Sequence, residues 1–164
     1  MSLAPDRRRF LLLVPALGIA LAARSAPSAR IVLATDLRAD GRLSRASRAP
    51  ILILFSLPGC PYCEIVRRSH LEPLLRDPRR AGQVIVRQID IDGEQAVVDF
   101  AGEATTHGAI ARDRGVRAAP VVAFWDGQGT PIAGSLTGML LPDFYSAYLE
   151  SELDTARDRL AARR

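Results

Sequence analysis

The sequence predicts an α/β fold in which a central mixed sheet of four or five strands is flanked by helices. Continuous apolar runs, typical of strands buried on both faces of a sheet, alternate with segments of helical spacing. The 164 residues are 48% apolar and 24% charged, which suits one globular domain and excludes a disordered chain. With only 2 cysteines, a disulfide-stapled miniprotein is also excluded.

The first 22 residues have the pattern of a secretory signal peptide. Arg7–Arg9 precede a 12-residue apolar run at residues 11–22, and the last three residues of that run, Ala-Leu-Ala, fit an A-x-A cleavage site. The alternative is a retained membrane anchor, although the run is too short to span a membrane comfortably. The arginines also resemble a twin-arginine signal, so both that route and the Sec route stay open. Either route exports a bacterial protein, and we expect a periplasmic location.

The predicted signal peptide carries part of the positive charge. All 22 basic residues are arginine, and against 18 acidic residues they give a formal net charge of +4. Cleavage after Ala22 removes three arginines and Asp6, which leaves 19 arginines against 17 acids and a net charge of +2. The remaining chain has no stripe of basic and aromatic residues. Nucleic acid is therefore not an expected partner.

The predicted elements begin after a flexible leader at residues 23–30, and one domain is expected over residues 31–164. Residues 31–35, with the sequence IVLAT, predict a short strand. The Arg-rich residues 36–49 are interrupted by Gly41, so they fit either a weak helix or a loop.

The next two elements are better defined by their patterns. Residues 51–57, ILILFSL, form a continuous apolar run that predicts a strand buried on both faces. Residues 61–76 predict a helix that Pro73 should kink and that ends before Pro78. Its apolar residues at helical spacing are Ile65, Val66, Leu71, Leu74 and Leu75.

The second half of the chain continues the alternation. We expect a strand at 84–91, a connection at 92–104 and a helix that begins at a Thr105 or Thr106 cap and runs to Arg114, before Gly115. A strand at 121–125, a hairpin turn at 126–129 and a return strand at 131–136 should follow. Pro142 should open the last helix. From residue 51 onward the predicted order is β-α-β-α-β-β-α.

The tetrapeptide Cys60-Pro61-Tyr62-Cys63 directly follows the buried strand and opens the predicted helix. A C-x-x-C in this context is typical of a redox motif. Cys60 would lie at the helix N-terminus, where unpaired N–H groups and the helix dipole favour a thiolate. Cys63, about one turn later, can reach back to resolve a mixed disulfide. Pro61 suits the first helical turn because it has no N–H to leave unpaired.

Three other uses of the cysteine pair are weaker. A structural zinc ion needs four ligands, so His70 and His107 would have to complete its site. Covalent haem is excluded because Glu64 stands where C-x-x-C-H requires histidine. An inert disulfide remains an alternative in an exported protein, although a bridge across two residues constrains little chain entropy.

A second segment, Gly115-Val-Arg-Ala-Ala-Pro120-Val-Val-Ala-Phe-Trp-Asp-Gly-Gln-Gly129, covers the approach to the third core strand and its hairpin turn. Together with the strand, the C-x-x-C and the helix, it resembles the thioredoxin superfamily over residues 31–160. The resemblance implies a thioredoxin fold, Cys60 and Cys63 as catalytic residues, and no cofactor. It also implies that Pro61, Tyr62, Ala119 and Pro120 support the site, with a cis bond before Pro120.

The sequence departs from thioredoxin itself at several positions. Leu54 stands six residues before the first cysteine, where thioredoxin has a buried acid. The Pro61-Tyr62 pair resembles that of glutaredoxins, but their glutathione-binding Gly-Gly segment is missing. The set is most similar to periplasmic thioredoxin-like proteins of the SoxW and Dsb type.

The other polar and aromatic candidates are predicted to be structural. His70 lies ten residues after Cys60, about 1000° around a helix, so we expect it off the face of the cysteine. His107 is likewise expected to be structural, and Phe124 and Trp125 to belong to the core. Four carboxylates lack EF-hand spacing and are expected to be solvated, so no metal is predicted. These carboxylates are Asp90, Asp92, Glu94 and Asp99.

The leading hypothesis is an exported thiol–disulfide oxidoreductase that acts as a reductase or isomerase rather than a strong oxidase. Its partners would be client proteins with cysteines or disulfides and a membrane electron donor or acceptor. The alternative is a thioredoxin-fold chaperone or a Cu(I)-delivery module that uses the same two thiolates. Against copper, neither Met1 nor Met139 adjoins the cysteine pair.

Overall fold

Five strands form one mixed sheet, and a separate two-stranded hairpin lies outside it. The computed structural model describes residues 30–139 and 142–163, so the predicted signal peptide and all but the last residue of the predicted leader lie outside the described residues. The strands are β1 (Val32–Leu33), β2 (Ile51–Ser56), β3 (Ile85–Asp90), β4 (Ala96–Val98), β5 (Ala104–Thr106), β6 (Val121–Trp125) and β7 (Leu136–Thr137). The order in the large sheet is β1-β3-β2-β6-β7, with β2 parallel to β3 and antiparallel to β6.

Helices cover both faces of the sheet, as the fold prediction requires. They are α1 (Leu37–Ser47), α2 (Pro61–Ile65), α3 (Glu72–Arg76), α4 (His107–Asp113) and α5 (Tyr145–Ala162), with a π-helical turn at Val66–Leu71 between α2 and α3. Every residue of β2 is buried. Its alternating side chains pack into two apolar clusters, one with Leu37 and Ile110 and the other with Val66 and Leu149. Phe124 and Trp125 are core residues, as predicted.

The Arg-rich segment near the start of the domain is a helix, which decides between the two alternatives left open by the sequence. Asp36 caps α1, since its Oδ1 accepts a hydrogen bond of 2.7 Å from Ala39 N. Gly41 weakens the helical pattern but has a packing role, because a Cβ at this position would collide with the carbonyl oxygen of Gly127. The glycine therefore lets α1 approach the turn after β6 closely.

The predicted kink at Pro73 takes a different form in the structure. Residues 61–76 form one helical stretch in three pieces, α2, the π-helical turn and α3. Pro73 lies in the first turn of α3, where its missing N–H is tolerated. The irregularity falls before the proline, since Glu72 N donates to Arg67 O in the five-residue spacing of a π-helix.

The connection predicted at residues 92–104 contains an element that the sequence did not reveal. Strands β4 and β5 form an antiparallel hairpin, with Val97 buried in the core. Each strand has three residues, too few for an alternating pattern to be recognised. Of the two predicted cap residues, Thr106 caps α4, with Oγ1 accepting from Ala109 N at 3.3 Å. Thr106 is also the last residue of β5, and Thr105 is the middle residue of that strand.

The end of the sheet is only partly as predicted. The hairpin turn after β6 is present, since Asp126 Oδ1 accepts hydrogen bonds from Gln128 N and Thr130 N at 2.8 and 2.9 Å. The return strand is β7 rather than residues 131–136, and Pro131 makes only an isolated bridge to Trp125. Ile132 N still donates to Phe124 O at 2.9 Å, and the ladder resumes at Leu136, which pairs with Val122. The return segment has two more residues than β6 between these paired positions, so a bulge breaks the predicted strand. Over residues 30–139 and 142–163, no helix is long and apolar enough to cross a membrane.

Candidate active site

The loop after β2 places Cys60 at the start of the helical stretch. Gly59 has a φ of +72°, a left-handed conformation that glycine adopts without strain, and Cys60 N donates to Leu57 O at 3.3 Å. Cys60 itself is the extended N-cap of α2, and Pro61 follows in the first turn. The predicted position of Cys60 at a helix N-terminus is confirmed.

The two cysteines form a disulfide across the first turn of α2. Their Cα atoms are 5.3 Å apart, and the pair is bonded through Cys60 Sγ and Cys63 Sγ. The backbone N–H of Cys63 donates to Cys60 Sγ at 3.1 Å. The same N–H would favour a thiolate on Cys60 after reduction, because an anion at a helix N-terminus gains both this donor and the helix dipole.

The two cysteines differ in their exposure to solvent. Cys63 is 1% exposed, whereas Cys60 is partly exposed. Tyr62 between them is 59% exposed and Pro61 is also exposed. A reacting partner can therefore reach Cys60 but not Cys63, which is the asymmetry that separate attacking and resolving roles require.

The strand opposite the cysteine loop begins with the predicted proline. The Ala119–Pro120 bond is cis, and Pro120 is buried. Phe55 pairs with Val121 in the antiparallel ladder. Pro120 therefore lies directly before β6, at the end of the sheet where β2 stops and the cysteine loop begins. The carbonyl of Pro120 accepts a 2.8 Å hydrogen bond from Gly138 N, which ties this segment to β7.

A polar network below the cysteine helix was not predicted from the sequence. Arg67 donates to Gln88 Oε1 through Nε and Nη2, at 3.1 and 2.8 Å, and to Ser56 Oγ at 3.3 Å. It also forms an ion pair with Glu64. Leu54, the residue at the position of the absent acid, is the ladder partner of Gln88. The sequence offered one sign of this network, namely that Arg67 follows Cys63 by four residues in a helix with apolar positions.

The network ends on a buried carboxylate that had been expected in solvent. Gln88 Nε2 donates to Asp90 Oδ1 at 2.7 Å, and Asp90 is 7% exposed. The prediction of a solvated strand exit is therefore wrong for Asp90, because this side chain shares a face of β3 with Gln88, under the cysteine-bearing helical stretch. Asp92 and Glu94 are exposed, as expected. In the part of the chain that the structure describes, no three potential ligand side chains form a metal-binding group.

Both histidines contribute to packing rather than to the cysteine pair. His70 Nδ1 lies 2.9 Å from Ser146 Oγ, and its ring contacts Tyr145 with ring centroids 4.6 Å apart. Burial lowers the pKa of His70 and raises the pKa of Tyr145 to about 12. His107 is fully buried and bridges two backbone groups, with Nδ1 at 3.2 Å from Asp90 N and Nε2 at 2.7 Å from Ala34 O.

Comparisons with known proteins agree with this geometry. The thioredoxin-like domain family matches residues 37–152. The short form of spinach chloroplast thioredoxin f has a TM-score of 0.52 and is 16% identical over 77% of this chain and 94% of its own. Its long form also has a TM-score of 0.52 and is 17% identical over 80% of this chain and 90% of its own. A point mutant of the thioredoxin of Halobacterium salinarum NRC-1 is 18% identical over 79% of this chain and 95% of its own, with a TM-score of 0.49. No curated protein matches the sequence. At these identities the spinach structures bear on the fold alone.

Proposed function

This chain belongs to the thioredoxin-like domain family, and on that premise we propose that it is an exported thiol–disulfide oxidoreductase acting on client proteins. The observation that carries the proposal is the cysteine pair, with a buried Cys63 and an accessible Cys60 whose sulfur faces a backbone N–H. The cis Ala119–Pro120 segment adjoins the same loop and offers a place for client backbone.

The reaction follows from the unequal access of the two sulfurs. In the reduced protein the Cys60 thiolate attacks one sulfur of a client disulfide and expels the other as a thiolate, which takes up a proton. Cys63 then attacks Cys60 Sγ, releases the first client sulfur and closes the Cys60–Cys63 disulfide. The client gains two electrons and two protons, and the protein needs an electron donor to return to its dithiol form. For an exported protein this donor would be a membrane protein.

The direction of electron flow depends on how strongly the site favours the thiolate. Tyr62 is neutral at pH 7 and gives no positive charge between the cysteines. Leu54 is fully buried and supplies no carboxylate that would oppose the thiolate. With help from the helix N-terminus alone, the reduction potential should lie at roughly −200 to −230 mV, between thioredoxin and the strong oxidants. Such a pair suits a reductase or isomerase.

Equilibration with glutathione buffers will measure this potential, and insulin reduction will test the activity. We expect the wild type to reduce insulin and Tyr62→His to shift to a less negative potential, because a histidine there can carry the missing charge. Tyr62 is exposed, so this substitution leaves the core intact. A wild-type potential near −120 mV would instead indicate an oxidase. A protein that neither equilibrates with glutathione nor reduces insulin would contradict the proposed function.

The proposed location rests on the basic and apolar N-terminal sequence. A fusion of residues 1–30 to a reporter is expected to reach the periplasm and to lose about 22 residues. A matched fusion with Arg7 and Arg8 changed to lysine will separate the routes, since twin-arginine export should stop while Sec export continues. An uncut reporter retained in the cytoplasm would overturn the proposed compartment.

A further inference from the structure

One arginine of the cysteine-bearing helical stretch points inward, although its neighbour points to solvent. The side chain of Arg67 is 18% exposed and that of Arg68 is 75% exposed. An arginine is rarely buried without partners, and Arg67 has three, namely Ser56 at the end of β2, Gln88 on β3 and Glu64 on its own helix. The guanidinium is thus held in one place by groups from three elements.

That place is on the buried side of the helix, the side of Cys63. Arg67 follows Cys63 by four residues, across the junction of α2 with the π-helical turn, so the two side chains are about one helical turn apart. Cys63 is 1% exposed, and Arg67 reaches from this face to β2 and β3. Both side chains therefore occupy the space between the helix and the carboxyl end of the two central parallel strands.

The other charged and titratable groups around this space are either shared between two arginines or farther along the network. The side chain of Glu64 is 46% exposed and pairs with both Arg67 and Arg68, so one negative charge faces two positive ones. The buried carboxylate of Asp90 is separated from the guanidinium by the whole amide group of Gln88.

The titratable rings lie on other surfaces of the same elements. His107 accepts from Asp90 N through Nδ1, on the far side of that residue. His70 and Tyr145 contact each other where the π-helical turn meets α5. Among the described residues, the largely buried guanidinium of Arg67 is thus the charge that lies on the same side of the helix as Cys63.

The chemistry of the second half of the reaction makes this charge relevant. Cys63 must lose its proton before it attacks Cys60 Sγ in the mixed disulfide, and burial disfavours a thiolate. The step converts Cys63–SH and Cys60–S–S–R into the Cys60–Cys63 disulfide, RS⁻ and a proton, and the proton ends on the leaving thiolate. A fixed cation near Cys63 stabilises the anion that this step passes through.

We propose that Arg67 is a positioning residue for the resolving step, with its guanidinium, anchored by Ser56 and Gln88, stabilising the Cys63 thiolate. This inference rests on the proposed disulfide exchange. Leu54 is a buried apolar residue, so no carboxylate at that position acts on Cys63. The charge that we assign to the surroundings of Cys63 is therefore positive, whereas a carboxylate at position 54 would make it negative. Arg67 cannot accept the proton, and its contribution is electrostatic.

A single-turnover reaction of the reduced protein with dithiobis(nitrobenzoate) separates the two steps. Attack by Cys60 releases the first thionitrobenzoate, and attack by Cys63 on the resulting mixed disulfide releases the second. Arg67→Gln keeps an amide donor for Gln88 and removes the charge, Arg67→Lys keeps the charge, and Arg68→Gln is the matched control on the exposed side.

We expect Arg67→Gln to raise the pH midpoint of the second release by about one unit. The tenfold lower thiolate fraction is partly offset by higher nucleophilicity, so at pH 7 the second release should be about three- to fivefold slower. Arg67→Lys and Arg68→Gln should stay within about twofold of the wild type. The first release should change less than the second, because Cys60 has its own N–H donor.

An unchanged midpoint in Arg67→Gln, or an equal shift in Arg67→Lys, would overturn the proposal, since a purely structural role does not depend on charge. If Arg67→Gln fails to fold, Gln88→Leu replaces it. This variant removes the main anchor of the guanidinium, and a wild-type second release there would also overturn the proposal. Insulin reduction by the wild type tests the proposed function separately, because the two nitrobenzoate releases do not require a client.

Discussion

Cys63→Ser is expected to accumulate long-lived mixed disulfides with client proteins, whereas Cys60→Ser is expected to form none. The accessible Cys60 can still attack a client in the first variant, but the buried serine hydroxyl that replaces the Cys63 thiol cannot release it. In the second variant the remaining thiol is 1% exposed and out of reach of a client. Insulin reduction should fall at least about a hundredfold in both variants, because each removes half of the dithiol.

Non-reducing electrophoresis of cell extracts measures the trapped complexes directly. The double variant, Cys60→Ser with Cys63→Ser, gives the background, and dithiothreitol should dissolve every complex formed by Cys63→Ser alone. Equal trapping by the two single variants would show that the attacking and resolving roles are assigned wrongly. It would also mean that Cys63 becomes exposed in the reduced protein.

His107→Ala should lower the free energy of unfolding by about 3 kcal/mol or more. The substitution leaves a cavity in the core and removes the hydrogen-bond partners of Asp90 N and Ala34 O, both in buried surroundings. The imidazole holds the start of α4 against β3 and the segment after β1, so its loss should loosen the β4–β5 hairpin as well.

Urea denaturation of the wild type and the variant measures this loss, and His70→Ala is the matched control. His70 is only partly buried and bonds to a single side chain, so its removal should cost about 1 kcal/mol or less. Similar losses in the two histidine variants would contradict the structural role assigned to His107. Hydrogen exchange at residues 96–106 would show whether the hairpin loosens.

The parts of the fold that local patterns determine could be predicted from the sequence. The apolar run of β2 favours a strand buried on both faces, and the C-x-x-C after it predicts a helix N-terminus at Cys60. Both are present, together with β6 at residues 121–125 and the cis bond before Pro120. The cis bond came from the family resemblance, since nothing in the local sequence favours it.

The parts that distant contacts determine could not be predicted. Arg67 looks like a solvated helix charge until β2 and β3 supply Ser56 and Gln88 as partners. Asp90 is buried for the same reason, because its partner is a side chain rather than water. Gly41 looks like a helix breaker in the sequence, whereas it permits the approach of a turn that lies far along the chain.

The two outer strands of the large sheet have only two residues each. β1 and β7 leave few unpaired N–H and C=O groups at the sheet edges, so another chain finds little backbone to join. The uncharged apolar segment at residues 51–56, a composition that favours intermolecular β-structure, is instead shielded between β3 and β6. Edge-to-edge association therefore requires the sheet to open first, and resistance to aggregation should follow the global stability of the domain.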